Sequence, residues 1–492
     1  MNEISLRQDD QLKQPPKVTA HQWVLSYLLL GLAGLGFLTS SYEALIILAE
    51  LFVLVDILLL IILGKEALRT RSFGKLLLVA STLFFFWLEA LSLALQETPF
   101  PVPGGLPYPS AQYGEELVRQ AYLYVALFQL MLLVGYSLRP RMRGVFDWIG
   151  SRVNSKTLRA RVMPYVLAGC AVFPLLLALR FNLKAMFDVL LAARTGAEVE
   201  MDNVGLLHFL TFFGMYGAAI LLAEAVLLRS KKRLWSLVIG GIAALPFIMG
   251  GARHLWLFVA FPAFILMSRS EQRLTPGRLV RWAAISLALL IILQLQYSLR
   301  NEGWSEVANV ESSQLLETDV TGQFGALLYA EYLVPERHDY FLEIPEKYFV
   351  IHWIPRQFWP DKPLMQSWEF YNGEYTQGQA FNVTPSIIGQ YHMSFGFIGV
   401  IFIGVWLGFL TRLADRALLV IELERQLAMA IAIGMFYAFI ISSFRFYSPI
   451  YFAYFLFAMI GMMLLTSRRR RNADARLLEV DAYRPVQYPG VS

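Results

Sequence analysis

The chain of 492 residues contains one cysteine, Cys170, and it lies inside an apolar run. A disulfide within the chain and a cysteine-rich metal site are therefore excluded. Charge is scarce as well: 16% of residues are Asp, Glu, Lys or Arg, against 57% hydrophobic ones. No soluble domain of this size has such a balance. Histidine pairs of the HxxxH or HExxH type are missing, so no metal site is expected. No convincing internal repeat is found, although transporters often carry one. Residues 1–20 are polar, mixed in charge and contain Pro15 and Pro16. They make a poor signal peptide, so the first apolar run is expected to stay as a span.

What the chain has is apolar runs of about 18 residues or more, the length that crosses a hydrocarbon core of about 30 Å. An all-α polytopic membrane protein is expected, with about twelve spans. They are placed at 22–40, 43–63, 74–95, 119–138, 162–180, 206–228, 234–249, 254–268, 279–298, 386–411, 425–442 and 447–466. Every second loop is basic, from Lys65, Arg69 and Arg71 through the Arg139–Arg161 loop to Arg412, Arg416 and Arg425. Positive loops stay inside, so both termini are expected on the cytoplasmic side. The chain then divides into a tail at 1–21, spans at 22–298, a large outer loop at 299–385, spans at 386–466 and a basic tail at 467–492.

The outward segments carry the informative residues. Segment 96–118 is rich in Pro and Gly and is expected to be a turn-rich loop without regular structure. Loop 299–385 has 87 residues, 13 acids and 5 bases, and 16 of its residues are Phe, Trp or Tyr. A loop of that length is usually functional. Its negative balance disfavours nucleic acid.

Single arginines recur on the outward side: Arg194, Arg253, Arg300, Arg356 and Arg445. Charge bias cannot explain them, because outward positive charge opposes it. Guanidinium binds phosphate with two parallel hydrogen bonds and keeps its charge, so the set suits a lipid pyrophosphate. Each could instead snorkel to headgroups or pair with a loop acid. Five of the six histidines, His208, His254, His338, His352 and His392, fall in or beside outward segments. A near-neutral imidazole can take a proton from an attacking hydroxyl, and His392, His254 and His352 are the candidates in that order. Trp353, Trp359, Trp368 and Tyr371 offer faces for sugars, or an aromatic belt at the bilayer surface. Glu43, Glu50, Asp56, Glu89 and Glu224 lie within spans and would suit ion coupling in a transporter.

Several local patterns are similar to the Wzy-type oligosaccharide repeat-unit polymerases of O-antigen and exopolysaccharide synthesis. They are Gly250-Gly251-Ala252-Arg253, Tyr297-Ser298-Leu299-Arg300, Ile354 to Pro363 in the large loop, and Thr384 to Gly399 entering the next span. At Gln390 the chain departs from that family's pattern, where Glu is frequent, and His392 is the nearby alternative. The resemblance implies a GT-C-like membrane glycosyltransferase with no metal or cofactor requirement. Its donor would be a glycan on undecaprenyl pyrophosphate and its acceptor a lipid-linked repeat unit, joined at the outer face of the bacterial inner membrane. A chain-length regulator would be a further partner. Two rivals stay open: an O-antigen ligase transferring to lipid A core, and a flippase or transporter of lipid-linked sugars using the acids of the second span.

Overall fold

The computed structural model describes residues 17–38, 42–70, 72–95, 111–138, 158–178, 204–227, 233–249, 323–351, 365–376, 385–420 and 427–445, with Phe258, Pro262, Trp359, Asp361 and Pro363 as single positions. All regular structure among the described residues is helical. In chain order the helices are α1 (Ala20–Gly36), α2 (Tyr42–Thr70), α3 (Gly74–Leu95), α4 (Ala111–Ser137), α5 (Leu158–Ala178) and α6 (Val204–Leu227). There follow α7 (Arg233–Met249), α8 (Gln323–Leu333), α9 (Lys347–Ile351), α10 (Gln366–Thr376), α11 (Ile387–Val420) and α12 (Leu427–Arg445).

Four stretches are long and apolar enough to cross a membrane: Glu43–Thr70, Gly74–Leu95, Glu115–Ser137 and Ile387–Leu419. Helices satisfy their own backbone groups, which is what hydrocarbon demands of a spanning segment. Nine of the expected runs fall on described helices. The runs at 254–268, 279–298 and 447–466 lie outside the described residues, save Phe258 and Pro262.

Three local features differ from the sequence expectation. First, α4 begins at Ala111, so the end of segment 96–118 is helical rather than irregular. Glu115 holds Arg119 one turn on at 2.8 Å, a pairing that supports the exposed turn of a helix. Second, α3 widens into a π-helical turn over Leu83–Trp87. The extra residue turns Trp87 so that its Nε1 donates to Gln129 Oε1 at 2.9 Å on α4.

Third, α11 is not one rod. Its 34 residues would extend about 51 Å at 1.5 Å per residue, more than a bilayer core needs. The break is at Gly396, where φ is 58° and ψ is −140°. It releases the carbonyls of Met393 and Ser394 from the helix ladder. The N–H groups of Phe341 and Leu342 take them, at 3.1 and 3.0 Å. The large loop is thus stitched into the break, which meets the requirement that buried backbone groups find partners.

Close helix approach fixes the centre. A Cβ on Gly135 would lie 2.0 Å from the Val405 carbonyl oxygen, and one on Gly408 would lie 2.0 Å from that of Leu132. Between α4 and α11 the backbones therefore touch. In lipid, where apolar burial gives no preference for a neighbouring helix, such packing drives association.

At the end of the bundle carrying the basic residues, Asp415 of α11 is the hub. Ser72 Oγ donates to Oδ2 at 2.6 Å and the Gly74 N–H to Oδ1 at 3.1 Å. The hydroxyls of Tyr136 and Tyr437 donate to the same carboxylate. One buried side chain thereby joins the start of α3, the end of α4, α11 and α12. Arg412, expected to face the inside of the cell, is buried here and donates to the Tyr136 carbonyl at 2.8 Å.

Candidate functional site

The opposite end of the bundle is built around the short helices of the large loop. α8 is apolar almost all round and is buried under the loop, as a helix without a polar face must be. Its first N–H groups have no partners within the helix. Glu89, reaching up from α3, accepts from Phe324 N–H at 2.7 Å and Gly325 N–H at 3.0 Å. An intramembrane acid that suits ion coupling is here the N-terminal cap of another helix. Glu343 does the same for α10, accepting from Ser367 N–H at 2.8 Å and Gln366 N–H at 3.3 Å. A negative charge also complements the positive end of a helix.

These caps hold α8 against the first arm of α11, where His392 sits one turn before the break. His392 is fully buried. Its Nε2 lies 2.9 Å from the Val334 carbonyl oxygen, just beyond α8. A carbonyl only accepts, so the ring proton is on Nε2. The Nδ1 atom is buried and has no hydrogen-bond partner among the described residues. Its lone pair is therefore available to take a proton. The ring is packed by Tyr124 of α4 at 5.1 Å between centroids and by Tyr340 at 6.0 Å. Tyr340 is also the residue that covers Gly396: a Cβ there would meet its ring at 3.1 Å.

Glu331 of α8 completes the cluster. It is 3% exposed, and neither carboxyl oxygen has a hydrogen-bond partner among the described residues. Burial without a partner pushes its carboxyl well above the usual carboxylate range. Glu331 acts electrostatically on the Tyr124 hydroxyl, which accepts from Gln120 Nε2 at 2.9 Å. Tyr124 thus relates the two groups: its hydroxyl feels the Glu331 carboxyl and its ring packs on His392. Glu331 has no special signal in the sequence beyond being the single acid in an apolar, helix-length stretch of the loop, Gln323–Leu333. Of the candidate proton acceptors, His254 and His352 lie outside the described residues.

Arg194, Arg253, Arg300 and Arg356 also lie outside the described residues, as does Trp353. Arg445 ends α12 and is partly buried. Its neighbour Phe444 packs on Phe86 and on Phe128, which lies one turn of α4 beyond Tyr124. Among the aromatic candidates, Trp359 is 37% exposed and Trp368 is partly buried on α10. Tyr371 is fully buried, edge-on to Tyr329, and its hydroxyl donates to the Ala326 carbonyl at 3.3 Å. Its ring fastens α10 to α8 and offers no face to a ligand.

The acids of α2 and α3 do not converge. Glu43 and Glu50 are exposed, Asp56 is buried beside Gln129, and Glu89 is a cap. Among the described residues no three His, Cys, Asp or Glu side chains converge as a metal set. Comparison with protein-family models, with curated proteins and with solved structures gave no match.

Proposed function

We propose that the chain is a membrane glycosyltransferase that joins lipid-pyrophosphate-linked oligosaccharide units, as the Wzy-type repeat-unit polymerases it resembles do. The observation that carries this reading is His392. Its Nε2 proton is committed to the Val334 carbonyl and its Nδ1 lone pair has no partner among the described residues. A general base needs that arrangement. In the proposed reaction the hydroxyl of one unit attacks the anomeric carbon of another and gives its proton to Nδ1. The lipid pyrophosphate leaves with the bonding electron pair. Arg194, Arg253 and Arg300 are the proposed clamp for the charge that grows on it, with Arg356 and Arg445 as further candidates. Trp359 and Trp368 are the described aromatic residues that remain for the glycan.

The proposal includes a twelve-span, GT-C-like arrangement in the bacterial inner membrane, with this site on the periplasmic side. Loss of a positioned base typically costs about 10²–10⁴ in rate. His392→Ala, at normal protein level, should therefore shorten cellular glycan chains to single repeats, visible as loss of the ladder on a gel. Long chains in that variant would remove His392 from the mechanism. Purified protein given lipid-linked repeat unit as sole substrate separates the rivals: a polymerase makes a ladder, and a ligase or flippase does not.

A further inference from the structure

We infer that Glu331 and the Nδ1 edge of His392 form the seat of the attacking sugar hydroxyl, and that the pyrophosphate binds elsewhere. The inference rests on the glycosyl-transfer reading above and assigns a substrate group to this cluster. Its basis is the kind of polar atom left open. Both Glu331 oxygens and His392 Nδ1 are buried and have no partner among the described residues. All three can accept a hydrogen bond. His392 Nδ1, with the ring proton on Nε2, can only accept, and a phosphate oxygen has no proton to offer it. A hydroxyl both donates and accepts.

With Glu331 protonated, as its unpartnered burial favours, one hydroxyl satisfies both side chains. It donates to His392 Nδ1 and accepts from the Glu331 carboxyl proton. The surrounding rings, Tyr124 and Tyr340, supply flat apolar faces that suit the C–H side of a sugar. Tyr340, which lies over both His392 and Gly396, is 37% exposed and joins the cluster to the surface. On attack the hydroxyl oxygen bonds to the anomeric carbon and its proton moves to Nδ1. The imidazolium keeps its Nε2 hydrogen bond to Val334. Glu331 holds the oxygen in place without gaining or losing a proton.

The test uses the full chain in lipid nanodiscs and reads the thermal midpoint with two probes. One is the oligosaccharide released from the lipid-linked repeat unit. The other is farnesyl pyrophosphate, which carries the pyrophosphate and no sugar. A ligand that binds the folded state raises the midpoint. The wild-type protein should respond to both. Glu331→Ala and His392→Gln should lose the response to oligosaccharide and keep the response to farnesyl pyrophosphate. Arg253→Ala should show the reverse. If Glu331→Ala does not fold, His392→Gln carries the comparison alone.

The inference is overturned if the oligosaccharide has no effect on wild type, or if both variants keep its effect. It is also overturned if they lose the farnesyl pyrophosphate response instead. A lost oligosaccharide response in a protein that makes no ladder from lipid-linked repeat unit would leave the hydroxyl seat standing and end the polymerase reading.

Discussion

Gly396 sets the position of the whole candidate site through one residue's backbone. A φ of 58° with ψ of −140° is open to glycine and closed to other residues. A Cβ there would also meet the Tyr340 ring at 3.1 Å. Gly396→Ala should cost about 1–3 kcal/mol, the usual range for such backbone strain. It should also unseat Tyr340 and the Phe341–Leu342 stitch, so glycan chain length should fall with stability. A thermal midpoint and a chain-length gel on the same variant check both. Wild-type values in both would show that the break is not a requirement of this glycine. The glycine turn after His392 is legible in the sequence as Gly396–Gly399. That it is a break filled by a distant loop is not, because the partners lie about 50 residues earlier in the chain.

Between elements, the polar groups of the spans act as connectors. Glu89 donates nothing and accepts twice, from the buried first turn of α8, at a sequence separation of 235 for Phe324. Apolar periodicity and length reveal α3 as a span, but no local pattern says that its acid ends against a loop helix. The same holds for Glu343 and α10, and for Asp415, which joins four elements through Ser72, Gly74, Tyr136 and Tyr437. Tertiary hydrogen bonds are set by geometry that composition does not encode.

The Glu89 cap is testable. Glu89→Ala leaves two buried N–H groups without acceptors, and each costs about 1–3 kcal/mol. The thermal midpoint should drop, and proteolysis should cut near residues 323–333 while α3 and α4 stay protected. Glu89→Gln keeps an acceptor oxygen and should lose less. If Ala and Gln behave alike, the cap contributes little to holding α8.

At the scale of the whole molecule, helices were legible from apolar runs, and their packing follows from small residues such as Gly135, Gly404 and Gly408. The candidate site was only half legible. His392 stands in a recognisable segment, whereas Glu331 is one of 13 acids in its loop, and only the fold buries it. That burial ties the stability of the folded chain to pH. The Glu331 carboxyl is raised well above its ordinary value of 4.5 because it is buried without a partner. Below the unfolded value both states hold the proton, and Glu331 does not disturb the fold. As pH rises past it, the unfolded chain releases the proton and the folded chain keeps it. The folded state therefore loses stability steadily until pH exceeds the raised value. Glu331→Gln holds a neutral group of similar shape and removes this slope. The variant should match wild type near pH 5 and have the higher thermal midpoint near pH 9. The difference should open on the alkaline side, the reverse of the pattern for a carboxylate held charged by a salt bridge. A variant whose midpoint falls in parallel with wild type across that range would show that Glu331 has a partner that keeps it ionised.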